Sequence, residues 1–270
     1  MRAALLVETR KITSTRMWWL LLVVMAGYMA LLAAGLAWAL TQADAALGAT
    51  DGPAEPLTPD AVVRSVYTIA VSLGYVFPLL IGGLSYPSEV RHQTITPTYL
   101  FEPRRSVVLA AKLTTGGAVG VLFGLVGTLT CVLAGGGVLA ALGEPTMLGE
   151  PGTWRTIALS ALALTVWALV GVALGSVLTN QVAVVVVVLA FTQLVEPVIR
   201  LVLGLTSWGA DLAAYLPGAA GEAISGGSLY SASGVGGDLL EWWQGLLVLI
   251  GYVAVLATVG RLTTLRRDVT

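Results

Sequence analysis

Long uninterrupted apolar runs alternate with short polar segments along this chain, and six of the runs are long enough to be helices that cross a bilayer. They lie near Met17 to Leu40, Ala61 to Leu84, Leu113 to Leu142, Thr156 to Leu178, Val182 to Leu205 and Gln244 to Leu262. A bilayer crossing takes roughly 20 apolar residues, and each run meets that length. The first run is followed by small-residue triplets, Ala37-Trp38-Ala39 and Ala43-Asp44-Ala45, that look like signal-peptide cleavage sites. Its apolar core is too long for a signal peptide, whose apolar region spans only about 7 to 15 residues, so it is expected to remain as an anchor.

Composition agrees with the pattern. Of 270 residues, 57% are apolar and 11% charged, and the mean hydropathy is +0.88. A soluble domain carries roughly a quarter of its residues charged, so this chain lacks the polar surface that water requires. An all-α membrane protein with no sizeable soluble domain follows.

Charge placement sets the expected orientation. Arg2, Arg10, Lys11 and Arg16 precede the first span, Arg91, Arg104, Arg105 and Lys112 lie between spans two and three, and Arg261, Arg266 and Arg267 follow the last. Those eleven cations fall on one side, against Arg64, Arg155 and Arg200 with most of the acids on the other. Basic loops stay in the cytoplasm, so both termini are expected there. Trp18 and Trp19 would anchor the inner interface, and Trp38, Trp154, Trp208, Trp242 and Trp243 the outer one; Trp167 alone sits mid-span. A net charge of -1 argues against general nucleic-acid binding, which needs clustered positive charge.

Catalytic chemistry finds little support. The only lysines, Lys11 and Lys112, follow no glycine-rich turn, so no phosphate-binding loop exists and the chain cannot hydrolyse ATP. His92 is the only histidine and reads as a solvated loop side chain. Cys131 is the only cysteine, which excludes an intramolecular disulfide, and its place in span three suits packing. Two polar segments are long enough to carry function. One is Ser85 to Lys112, expected in the cytoplasm; the other is Thr206 to Trp243, which is glycine-rich and semi-apolar. From composition alone, the first is either a docking projection or a topogenic loop whose Arg104, Arg105 and Lys112 touch anionic lipid.

Glu89-x-Arg91-x-x-Thr94, then Leu100, Pro103-x-Arg105 and Leu109-x-Ala111-Lys112 at the mouth of span three, resembles the cytoplasmic segment of ABC-2 type transporter permeases. The resemblance covers the whole chain, through a basic N-terminal segment, six spans, a Leu-Pro-Gly segment before span six and a terminal Arg266-Arg267-Asp268-Val269. It implies one permease domain over residues 1–270, in the plasma membrane of a bacterium, with no catalytic site of its own. Two such permeases, identical or homologous, would pair with two ABC ATPase subunits that bind ATP and Mg, and would export an amphipathic, lipid-like or drug-like substrate. By the same resemblance Glu89, Arg91, Thr94, Leu100, Pro103, Arg104 and Arg105 couple to the ATPase, Met1 to Arg16 forms an interfacial helix, and an external re-entrant segment precedes span six. Pro97 departs from the pattern and puts a regular helix through Ile95 to Leu100 in question.

Within the spans, Gly116, Gly120 and Gly124 recur every fourth residue in span three, and Gly171 and Gly175 do so in span four. Such stripes allow close helix approach, within the subunit or across a dimer. Glu196 and Arg200 lie at i and i+4 in span five, around Pro197, and are expected to face each other. Each charge unpaired at mid-depth would cost about 2.5 to 3.5 kcal/mol, which leaves two readings, a structural pair or a contact with substrate. Two rival functions remain at this level. One is an ion-coupled secondary transporter with Glu196 as proton site, weakened by the lack of internal repeats; the other is a non-transporting membrane scaffold.

Overall fold

A computed structural model describes residues 2–48, 58–227 and 239–264. The described residues contain no strand, and six helices are long and apolar enough to cross a membrane: Met17–Ala43, Pro59–Gly83, Arg105–Ala141, Pro151–Val177, Gln181–Leu203 and Trp242–Leu262. They match the six apolar runs to within a few residues, except that the third begins at Arg105, about two turns earlier than its hydropathy indicates. That extension carries Lys112 inside a helix.

In chain order the helices are α1 (Arg2–Ser14), α2 (Met17–Gly48, span one), α3 and α4 (Pro59–Tyr67 and Val76–Gly83, span two), α5 (Pro87–Arg91) and α6 (Ile95–Phe101). There follow α7 (Arg105–Ala141, span three), α8 (Pro151–Val177, span four), α9 and α10 (Gln181–Ala190 and Glu196–Leu203, span five), α11 (Ser207–Ala213), α12 (Pro217–Ser225) and α13 (Trp242–Leu262, span six). Their boundaries follow ordinary capping chemistry. Thr58 accepts from the Ala61 N–H ahead of Pro59, and the Asn180 side chain accepts from the Val182 and Ala183 N–H groups at 2.8 and 3.2 Å. Glu241 and Gln244 form a capping box at the head of α13.

Spans two and five are each interrupted by a wide π-turn, at Ala70–Gly74 and Phe191–Val195. A proline follows each turn, Pro78 and Pro197, and the carbonyl four residues before it, that of Gly74 or Gln193, lies within the turn. A proline has no N–H for the carbonyl four residues back and its ring crowds that oxygen, so the preceding turn opens. Pro97 has the opposite outcome: α6 forms through it, contrary to the expectation above. It is the third residue after the cap at Thr94, where a helical N–H has no intrahelical acceptor to lose.

Spans two and four are the most buried and form the centre, while spans one, five and six keep broad apolar faces outward. Glycine makes the central contacts possible. Gly116, Gly120 and Gly124 place α7 against Val172, Ala168 and Ala161 of α8, and Gly171 and Gly175 place α8 against Leu79 and Gly83 of α4. A Cβ at Gly120, Gly124, Gly171 or Gly175 would meet backbone atoms, so both stripes serve contacts between helices of this chain. Cys131 is buried within the main core, and Trp167 packs its ring on Tyr75 with centroids 4.4 Å apart.

Candidate functional site

Helices α1, α5 and α7 meet at the end of the bundle where α1 lies, and four charged side chains join them. Lys11 of α1 contacts Glu8 at 2.7 Å and Glu89 of α5 at 2.9 Å; Lys112 of α7 contacts Glu8 at 2.9 Å and also Glu89. The contacts close a ring, Glu8–Lys11–Glu89–Lys112, with alternating signs and no net charge. Each ammonium fills its three donor positions, Lys11 with the Thr98 hydroxyl at 3.0 Å and Lys112 with the Ser85 carbonyl at 3.3 Å. Glu89 is only 5% exposed and Lys112 only 2%. Glu89 is therefore turned inward, away from the docking surface where the sequence reading put it, and Lys112 does not touch lipid. Both departures have one cause: a charge leaving water at this depth must find an opposite charge, and the ring supplies it.

On this base stands the α5–α6 pair. Its inner face is a small satellite core of Tyr86, Ile95 and Leu109. The Tyr86 and Tyr99 hydroxyls lie 3.0 Å apart and the Arg105 guanidinium sits over the Tyr99 ring, 5.1 Å from its centre. Burial is the main cause that raises both tyrosine hydroxyls above the ordinary tyrosine pKa. Gln93, at φ 55°, turns the chain between the two helices. Arg91 donates to the Gln181 side chain at 2.9 Å, and Gln181 donates to Ser88 at 2.8 Å, which joins α5 to the start of span five. The outer face of α6 is apolar: Leu100 is 82% exposed and Phe101 66%. Thr94, Pro103 and Arg104 are also exposed, and Arg105 is half-buried. Of the seven residues expected at this site, Glu89 alone is buried. Phe101 was missed, although an aromatic beside Leu100 in a segment rich in polar residues was a readable signal.

A second buried cluster lies in the other half of the bundle. The Arg200 guanidinium makes two parallel hydrogen bonds, at 2.9 and 2.8 Å, to Glu222 of α12. Glu196 turns to the head of the same helix and accepts from the Gly218 and Ala219 N–H groups at 2.5 and 3.3 Å. A carboxylate there satisfies two donors that have no intrahelical acceptor and meets the positive end of the helix dipole. The two-pronged hydrogen bond of Arg200 thus goes not to its i−4 neighbour but to a glutamate 22 residues onward. Glu222, one of the acids expected on the outer side with Arg64, Arg155 and Arg200, is only 2% exposed. The available signal was its setting in the apolar segment Pro217-Gly218-Ala219-Ala220-Gly221-Glu222-Ala223-Ile224. Every residue of α12 is buried, and Gly221 lets it approach the Trp167 indole.

His92 is exposed beside α5. Among the described residues, no group of three or more His, Cys, Asp or Glu is placed to hold a metal ion. The two clusters can transmit force and fix helices; neither pairs a nucleophile with a base. No protein-family model matches the chain, and no curated protein sequence does.

Proposed function

We propose that this chain is the membrane subunit of an ABC-2 type exporter, and that it works as a pair of permeases with two separate ATPase subunits that bind ATP and Mg. In this reading α1, the α5–α6 pair and both termini face the cytoplasm, and α11 and α12 form the external re-entrant segment before the last span. The substrate is amphipathic, lipid-like or drug-like. The observation that carries the reading is the build of α6, whose exposed Leu100 and Phe101 stand on a base held by the Glu8–Lys11–Glu89–Lys112 ring, in which all but Lys11 are buried. An exposed apolar pair on a rigid support suits a cleft in a soluble partner. A push on α6 passes through Thr98 and Glu89 to Lys112, and so to the base of span three; Arg91 and Gln181 carry it to span five. Because Glu89 and Lys112 are buried and multiply bonded, the push tilts helices in preference to bending the α5–α6 pair.

The test is the double substitution Leu100→Asp and Phe101→Asp, made in cells that express the chain together with a candidate ATPase subunit. Both side chains are exposed, so the melting temperature should hold while ATPase co-purification and ATP-dependent transport fall. Undiminished association and transport in the double variant would reject α6 as the docking element. Proton-driven transport without any ATPase would reject the reading as a whole.

A further inference from the structure

A cavity of about 330 Å³ opens beside the charge ring, between α1, the start of span one, the end of span two and the start of span three. Its volume is at the lower end of the range for small-molecule sites, roughly 300 to 1,000 Å³. Its chemistry is graded. The deep wall is apolar, with Ile81, Leu84, Val119 and Val172, while Ser14, Thr15, His92 and Thr94 at the mouth are exposed and polar. The four formal charges on its wall belong to the ring and cancel each other.

We propose that this cavity binds one single-chain amphiphile with an uncharged, hydroxyl-bearing headgroup, drawn from the leaflet on the α1 side of the bundle. Three features select that occupant. At about 330 Å³ the space suits one acyl chain better than the paired chains of an ordinary phospholipid. The apolar end lies level with the first residues of span one and the last of span two, where acyl chains begin. A charged headgroup would find no uncompensated opposite charge in the wall, because each carboxylate is already bound to two ammonium groups; the hydroxyls and imidazole at the mouth suit hydrogen bonds to a polyol. The site concerns this chain alone, and its test is independent of the ATPase reading.

The experiment uses the full chain in lipid nanodiscs with a monoacylglycerol carrying a photoactivatable diazirine near the chain end. Labelling should concentrate on peptides that contain Val119 and Val172, and unlabelled mono-oleoylglycerol should displace the probe. Oleate and oleylamine, with the same chain and opposite charges, should compete about tenfold more weakly, as expected for a loss of about 1.4 kcal/mol. Val119→Trp fills the deep end and should abolish the labelling. Thr15→Trp, at the exposed mouth, should weaken it without touching the core, so this variant decides the matter if Val119→Trp fails to fold. Labelling spread over the outward faces of spans one and five, and unchanged in Thr15→Trp, would show bulk lipid contact and overturn the proposal. Equal or stronger competition by either charged amphiphile would overturn the headgroup assignment, and absence of saturable labelling would show that the cavity holds only water.

Discussion

Arg200 shows how a single charged side chain organises its surroundings. It sits in an apolar helix, so its guanidinium must meet a carboxylate, and two are near at hand in the fold. Glu222 takes the two-pronged hydrogen bond and Glu196 caps α12, so both acids bind α12 to span five by different means. A double-mutant cycle separates the two. Arg200→Gln or Glu222→Gln alone should lower stability by about 3 to 5 kcal/mol, because each strands a buried charge, and the double substitution should recover much of that loss. Glu196→Gln combined with Arg200→Gln should show the smaller coupling. Thermal unfolding of the five variants in one detergent measures this; a larger coupling for the 196–200 pair would show that Arg200 prefers its helical neighbour in solution.

Lys112 makes the same point at the other end. Its position at the mouth of an apolar span suggested a lipid-facing cation, yet its neighbours in space are Glu8, more than a hundred residues earlier, and Glu89. No local pattern announces such a pairing.

At the scale of elements, the glycine stripes determine which helices touch. Gly171 lies against the backbone of Leu79 and Gly83, with no room for a Cβ. Gly171→Ala should therefore push α8 from α4 and cost about 1 to 3 kcal/mol, as overpacking usually does. Gly251 in span six is exposed and a Cβ there meets nothing within 4 Å. Gly251→Ala should leave stability unchanged or slightly raise it, since alanine is the better helix former. The pair of melting temperatures tests the stripe directly, and equal values would show that the close approach of α4 and α8 does not need glycine. Helix breaks obey similarly local rules: Pro78 and Pro197 open π-turns inside spans, whereas Pro97, near a helix start, breaks nothing.

At the scale of the whole molecule, the six spans place Gln93 and Thr263 at one end and Thr58 and Gly149 at the other. The distribution of cations predicts that the first pair is cytoplasmic. In a Cys131→Ser background, single cysteines at Thr58 and Gly149 should react with an impermeant maleimide added to intact cells, and those at Gln93 and Thr263 should react only after lysis. All four positions are exposed, so a reversed pattern of labelling reads orientation and not access. Thr50 and Ser231, in the two longer loops expected on the outer side, lie outside the described residues.

The number of spans, their approximate limits, the glycine stripes and the charges Glu196 and Arg200 within span five were all legible in the sequence. Hydropathy and helical spacing are local quantities, summed over twenty residues or fewer, and no neighbouring element can change them. The early start of α7, the inward turn of Glu89, the partners of Lys112 and the choice of Glu222 by Arg200 were decided by the tertiary structure. The last three depend on which charge is nearest once the chain is folded. In a low-dielectric interior that choice carries several kcal/mol, while along the sequence the chosen partners stand from 22 to 104 residues apart and leave no periodic trace.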